Sequence, residues 1–323
     1  MKLTFDDAHQ LATRFLVRHE MPQAHAGIVA DHLIYATNAG HDFAGLSRLL
    51  PIAEQLARRG TGGDVTTLRE TANSAVMDGG NVIGYVTSLM AMDKAIELAK
   101  KSGIGVVGLS NSWFSGMLRY YVERAADRDM IALHACNSTA RVAPFGGIDR
   151  LLGTNPLAFA CPAPGAPLVI DIGSSAMTWG DVIFHQQTGR PLPEGVAVDP
   201  EGHPTLDPAS ALAGAIKTWG GPRGSAIAMM VQALGILGGS DPVIGETGKW
   251  GYFFMAMDPS LLMPVDELKT RIGSMRDQIE GSRAAPDGTA VRAPGSSGTK
   301  RLQEAKERGW IDVDDAIVRA ISP

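Results

Sequence analysis

Proton, hydride and metal chemistry each require particular side chains brought close together, and this chain offers few in a recognisable spacing. Its eight histidines stand at positions 9, 19, 25, 32, 41, 134, 185 and 203, with no His-x-x-x-His pair or cysteine neighbour forming a metal signature, so no metal site is expected. Cys136 and Cys161 are too few for a disulfide framework and suit a reducing compartment. A Gly-x-Ser-x-Gly elbow is absent, and neither Ser115-Gly116 nor Ser174-Ser175 has a local base to activate a hydroxyl. Two short runs remain: residues 38–49, with His41, Asp42 and Arg48, and residues 111–116, with Trp113 and Phe114. The planar guanidinium of Arg48 suits a two-pronged grip on a carboxylate, although a surface arginine would read the same way.

The elements that must position these residues follow from periodicity. Thr4 can cap a first helix, with Asp7 at its third position and Ala8, Leu11, Ala12 and Phe15 on one face. A second helix runs from about Pro22 to Gly40, and a third over 87–101 with Gly103 after its end. Short apolar runs at 104–109, 130–135, 157–161, 168–172 and 252–257 read as strands, with helical patterns at 118–128 and 225–237 between them. The class is therefore α/β or α+β. Glycine- and proline-rich stretches at 60–63, 189–204 and 284–298 read as loops. We divide the chain into an N-terminal helical region (1–75), a central α/β region (76–260) and a C-terminal helical region (261–323) that packs back on the centre.

Gly103, Gly105 and Gly108 have the spacing of a dinucleotide fingerprint but not its setting. That motif needs a strand before it and a helix after it, whereas here a helix precedes and Ile104, Val106 and Val107 belong inside a strand. The string reads as a buried strand with small residues at close contacts.

Composition narrows the partners. The 323 residues, 45 % apolar, suffice for a large core or for two lobes sharing an interface. Against 34 acidic residues there are 29 basic ones, with no basic run interleaved with aromatics, so a small molecule is expected rather than nucleic acid. The early charges Lys2, Asp6 and Asp7 argue against a signal peptide, and no apolar run is long enough to span a membrane. A cytoplasmic location is expected.

The run from Asn38 to Leu49 resembles the signature of the malate/L-lactate dehydrogenase family, which includes ureidoglycolate dehydrogenase, diketogulonate reductase and piperideine/pyrroline-2-carboxylate reductases. The resemblance continues in order through Gly153-Thr154-Asn155-Pro156-Leu157, the 169–175 run, Leu192-Pro193-Glu194-Gly195 with Asp199-Pro200-Glu201-Gly202, the 220–224 run and Arg292-Ala293-Pro294-Gly295. It implies a fold with a non-Rossmann nucleotide-binding domain, NAD or NADP as cofactor, a small carboxylate substrate and a homodimer.

The first signature usually reads Asp-Ser-His-Gly, then two residues, then Arg. Asp42, Gly45 and Arg48 match it, but Phe43 and Ala44 stand at the serine and histidine positions. A second family histidine position is held by Phe114, within Asn111-Ser112-Trp113-Phe114-Ser115-Gly116. The resemblance assigns substrate contacts to Arg48, Phe43, Ala44, Trp113, Phe114, Asn137 and Ser138, the last two also reading as ordinary turn residues. It assigns cofactor contacts to Ile170, Asp171, Ile172, Gly173, Ser174, Ser175, Asp181, Pro222, Arg223, Gly295 and Ser296. Arg223 stands where a lysine is common, and the Gly295 region lacks a common glutamate. Trp179-Gly180-Asp181 matches the Gly-Asp found in some imino-acid reductases.

Without the histidines, no catalytic residue is assigned. His41 is the substitute acid nearest in sequence, and Tyr120, Tyr121 and His134 are further ones. The expected activity is an NAD(P)H-dependent reduction of a cyclic 2-imino acid or a bulky 2-oxo acid. The alternatives are a redox-neutral lyase or isomerase, or an inactive ligand-binding homologue, on the same scaffold.

Overall fold

The computed structural model describes residues 1–322. Thr4 caps the helix Phe5–Arg18: its hydroxyl oxygen accepts the Asp7 N–H at 3.1 Å. The helix Gln23–Asn38 follows and ends before Gly40, whose φ of +87° lies where only glycine goes readily. These two helices and Leu49–Arg59 bury Leu16, Leu33, Leu46, Leu49 and Ile52 completely or nearly so. The chain's end closes the same core. The strand Trp310–Asp312 pairs antiparallel with Lys2–Thr4, and Ile311, Val318 and Ile321 fill the gap beneath the first helices.

The centre is a seven-stranded sheet in the spatial order Thr66–Glu70, Ser74–Asp78, Ile104–Ser110, Gly251–Met257, Ile131–Cys136, Leu157–Cys161 and Leu168–Ile172. Its neighbours are antiparallel except Ser74–Asp78 with Ile104–Ser110, which the helix Gly84–Ser102 connects as a crossover. Phe254, Tyr252, Val107 and Leu109 pack there against Met92, Ile96, Leu98 and Tyr121. A smaller three-stranded sheet (Val142–Ala143, Ala215–Lys217, Ala197–Val198) carries its own core with Val182, Leu192 and Ala228.

The three glycines of the misleading fingerprint each have a packing task. Gly103 closes the helix Gly84–Ser102 in the left-handed conformation, at φ +83°. A Cβ on Gly105 would overlap the Ala95 carbonyl oxygen of that helix, and one on Gly108 would come within 3.2 Å of the Leu237 carbonyl oxygen. The strand therefore lies close under helices on both faces, and no phosphate loop forms.

Strands 157–161 and 168–172 stand at the expected bounds, and the other three expected strands are displaced by a residue at one or both ends. The expected first and last regions are not wholly helical. Thr66–Glu70 and Ser74–Asp78, the latter spanning the 75/76 boundary, extend the central sheet. Thr66–Glu70 is exposed at every position, so it lacks the alternation by which a strand is read. In the last region, Trp310–Asp312 is a strand, and the helix Ser296–Arg308 begins inside the expected 284–298 loop.

Replacing Gly105 by alanine forces the strand away from its covering helix, so Gly105→Ala should lose about 1–3 kcal/mol in denaturant unfolding. Below the unfolding transition its affinity for NADH and NADPH should stay within twofold of wild type; a phosphate-binding role for Gly105 would instead lower that affinity sharply.

Candidate functional site

Two helical turns carry the first run. Gly45 lies so close to the Gln23–Asn38 helix that a Cβ would overlap Thr37 Oγ1, and that same oxygen accepts the Leu46 N–H at 3.2 Å. The turn Leu46–Arg48 then places Arg48 at the start of the helix Leu49–Arg59, anchored by buried Leu46 and Leu49. The half-buried Arg48 guanidinium lies 4.6 Å from the Phe114 ring centroid and 5.3 Å from that of Phe43. Arg119, Arg124 and Arg141 each pair with a carboxylate, whereas Arg48 pairs with none among the described residues.

Phe114 is held in the left-handed region, at φ +48°, a conformation that is strained for an aromatic residue. The turn is pinned by Gly84 N–H, which donates to the Trp113 carbonyl at 2.6 Å. Trp250 packs on the far side of Phe114, with ring centroids 6.0 Å apart. The ring of Phe43 lies directly against Gly180, where a Cβ would overlap it. Phe43 thereby joins the Arg48 side of the site to the first turn of the helix Trp179–Thr188.

Not every expected contact residue faces this space. Trp113 turns inward, 2 % exposed, and donates Nε1–H to the Asn81 carbonyl. Asn137 is fully buried: its Nδ2 donates to Ser240 and its Oδ1 accepts the Gly251 N–H, so its carboxamide is engaged within the protein. Half-buried Ser138 sits against Gly153.

The cofactor segments meet at the edge strand Leu168–Ile172. At its end Gly173 is open, while the Ser174 hydroxyl donates to the Thr154 carbonyl at 2.9 Å. Trp219 Nε1–H donates to the Gly173 carbonyl, Trp219 N–H to that of Ser174, and Ser175 bridges to Thr218. Gly220 and Gly221, at φ +57° and +63°, then turn the chain into the sixteen-residue helix Pro222–Leu237. Arg223 is exposed on its first turn and has no carboxylate partner among the described residues. Gly295 packs so tightly on the strand that a Cβ would overlap the Val169 carbonyl oxygen, and Ser296 opens the following helix. Asp181 engages its own helix start, its carboxylate accepting from the Thr178 hydroxyl at 2.6 Å. An open strand end, a helix N-terminus and an unpaired cation fit the phosphates and amide of a dinucleotide.

The residue that knits these segments is one that the sequence does not single out. Arg119, 3 % exposed, donates to the Gly295 carbonyl at 2.9 Å and to Thr299 Oγ1 at 2.6 Å, and also to the Tyr35 hydroxyl and the Glu123 carboxylate. Its backbone N–H donates to Asp171 Oδ2 at 2.8 Å. Burial raises the Asp171 pKa to about 6, against the opposing pull of the Arg119 N–H and guanidinium. An arginine between Leu118 and two tyrosines, four residues ahead of Glu123, is its one local signal.

The substitute acids are placed poorly for a new role. Burial lowers the His134 pKa to about 3; its Nδ1 bonds the Phe253 carbonyl and its ring stacks on Phe254. Tyr121 is buried, with its hydroxyl on the Ser115 carbonyl, and Tyr120 packs on His32 and Tyr35. His41 stays at the surface, its pKa lowered by the atoms packed about it and by Arg301 and Arg119. Among the described residues no cluster of three potential metal ligands occurs, and no helix is long and apolar enough to cross a membrane. Open surface grooves run along the helix Val265–Glu280 and hold none of these residues.

Comparisons with known proteins identify the family and the fold. The malate/L-lactate dehydrogenase family matches residues 3–322, and the chain belongs to that family. It is 31 % identical to the L-sulfolactate dehydrogenase of Methanothermobacter thermautotrophicus, over 99 % of this chain and 95 % of that protein. It is 33 % identical to delta(1)-pyrroline-2-carboxylate reductase 2 of Burkholderia multivorans, over 82 % of each. The solved structure of the sulfolactate dehydrogenase of Methanocaldococcus jannaschii superposes with a TM-score of 0.88 at 30 % identity, over 99 % of this chain and 96 % of that one. The protein is thus an NAD(P)-dependent oxidoreductase with the fold of this family.

Removing the Arg119 cation leaves the largely buried Glu123 carboxylate without its counter-charge, so Arg119→Met should destabilise the protein by about 3–5 kcal/mol. Arg119→Lys should be milder. At a temperature where it remains folded, Arg119→Lys should weaken NAD(P)H binding in fluorescence titration by more than it raises KM for substrate. Equal effects on both would contradict a role confined to the cofactor edge.

Proposed function

We propose that this family member uses NADH or NADPH to reduce a carboxylate-bearing cyclic imine or a bulky 2-oxo acid, with the imine preferred. The observation that carries the reading is the unpaired Arg48 cation between the faces of Phe43 and Phe114, at a site whose two family histidine positions are Ala44 and Phe114. Arg48 would hold the carboxylate, and the two aromatic faces would pack on an apolar ring and exclude water.

Gly173, Ser175, Arg223 and Gly295 would seat the reduced nicotinamide dinucleotide, which supplies the hydride. A ketone accepting hydride develops negative charge on oxygen, where a positioned acid contributes roughly 10²–10⁴ in rate. Neither Ala44 nor Phe114 can donate that proton. A cyclic imine already protonated on nitrogen takes hydride at carbon and becomes a neutral amine, so no side chain has to move a proton in that step. Similarity to the pyrroline-2-carboxylate reductase supports this substrate class. Similarity to the sulfolactate dehydrogenase is of the same size, 31 % against 33 %, and leaves the local chemistry to decide.

The same reading includes a cytoplasmic homodimer. Support for the dimer is the helix Pro222–Leu237, apolar on nearly every side, which leaves Met229, Met230 and Leu237 exposed.

Purified protein given NADH or NADPH should oxidise either cofactor at least tenfold faster, per kcat/KM, with pyrroline- or piperideine-2-carboxylate than with pyruvate or oxaloacetate. Arg48→Met should raise KM for the imine by roughly 100-fold while sparing cofactor affinity, the scale set by a charged hydrogen-bonded pair. Rapid turnover of simple 2-oxo acids with no turnover of cyclic imines would overturn the proposal.

A further inference from the structure

Tyr85 opens the long crossover helix and is completely buried, yet its hydroxyl proton has no hydrogen-bond acceptor among the described residues. A buried hydroxyl left unpaired is costly, so this one calls for an acceptor. Its surroundings show where that acceptor could come from. The tip of the ring is wrapped by the turn that carries Phe114: a Cβ on Gly116 would overlap the Tyr85 ring edge and come within 2.9 Å of its Cζ. His32 stands edge-on to the ring at 4.7 Å, with its Nε2 already accepting the Met117 N–H at 2.9 Å. The charged group facing the hydroxyl is Arg48, which opposes the rise that burial imposes on the Tyr85 pKa.

Arginine has five donors and no acceptor. Arg48 can therefore give a hydrogen bond to the Tyr85 oxygen but cannot receive the Tyr85 proton. That hydrogen is left without an acceptor beside a cation, a setting that suits an anion's oxygen.

We propose that Tyr85 is a substrate-binding residue whose O–H donates to an oxygen of the carboxylate held by Arg48. The site then presents one cation and one neutral donor to the anion, from two different elements. This rests on the reading of Arg48 as the carboxylate anchor. Because Tyr85 is completely buried, the carboxylate reaches its hydroxyl only by displacing the Arg48 side chain. The hydroxyl adds selectivity for a flat anion with two adjacent oxygens.

Tyr85→Phe keeps the ring and removes only the hydroxyl. The probe is pyridine-2-carboxylate, a flat carboxylate that cannot be reduced, titrated calorimetrically into the protein saturated with NADPH or NADH. Tyr85→Phe should weaken its binding roughly 10- to 100-fold, the range for one hydrogen bond to a charged group. Affinity for the cofactor should stay within twofold, KM for the imine should rise with little change in kcat, and the melting temperature without ligand should be unchanged or higher. If wild type binds the probe and Tyr85→Phe binds it equally well, the Tyr85 assignment is wrong and the Arg48 reading stands. If wild type binds cofactor but not the probe, the carboxylate site itself is wrong and this inference goes with it. A lower melting temperature with unchanged probe affinity would make the hydroxyl structural and overturn the assignment.

Discussion

A guanidinium removed from water is tolerable only where acceptors surround it, and Arg119 is almost wholly enclosed. One of its acceptors, Glu123, lies one turn on, and the others are remote in sequence: Tyr35 on the second helix, and Gly295 and Thr299 near the end. Its own amide supplies the Asp171 carboxylate on the edge strand. The N-terminal helices, the central sheet and the C-terminal helix are thereby held at one point. That point lies beside the segments that would seat the dinucleotide, so Arg119 ties the cofactor edge to the N-terminal helices.

Arg48 stands in the opposite condition. It is half-buried against two aromatic faces and has no carboxylate of its own. One arginine is saturated and organises the fold; the other is unsaturated and available to a ligand. The strained backbone of Phe114 fits this division, since a residue held at φ +48° by its neighbours is fixed where a relaxed loop would drift. Phe43, lying against Gly180, carries the same rigidity across to the cofactor side.

Much of this is legible in the amino-acid sequence. The Thr4 cap, the strands at 157–161 and 168–172, and the unsuitability of the Gly103–Gly108 string as a phosphate loop all follow from local pattern. The grouping of Arg48 with Phe43 and Phe114 comes instead from the family resemblance, since 66 residues separate Arg48 from Phe114. Other features carry no local pattern. Thr66–Glu70 is exposed on both faces and gives no alternation, and Trp310–Asp312 becomes a strand only because Lys2–Thr4 lies beside it. Trp113 and Asn137 have the right types for a site, but burial turns the first inward and engages the second with Ser240 and Gly251. The importance of Arg119 depends on partners 84 to 180 residues away, and that of Tyr85 on the lack of one, which no window of sequence displays.

At the centre of the proposed chemistry is a substrate that arrives already protonated and is reduced with no acid supplied by the protein. The pH dependence of kcat at saturating cyclic imine and cofactor tests this most directly, because it reports groups that titrate within the bound complex. The expected result is a kcat that is flat from about pH 6 to 8, across the range where a histidine acid would titrate. A kcat that falls with rising pH through the histidine range near about 6.5 would reveal an enzyme acid at work and contradict it.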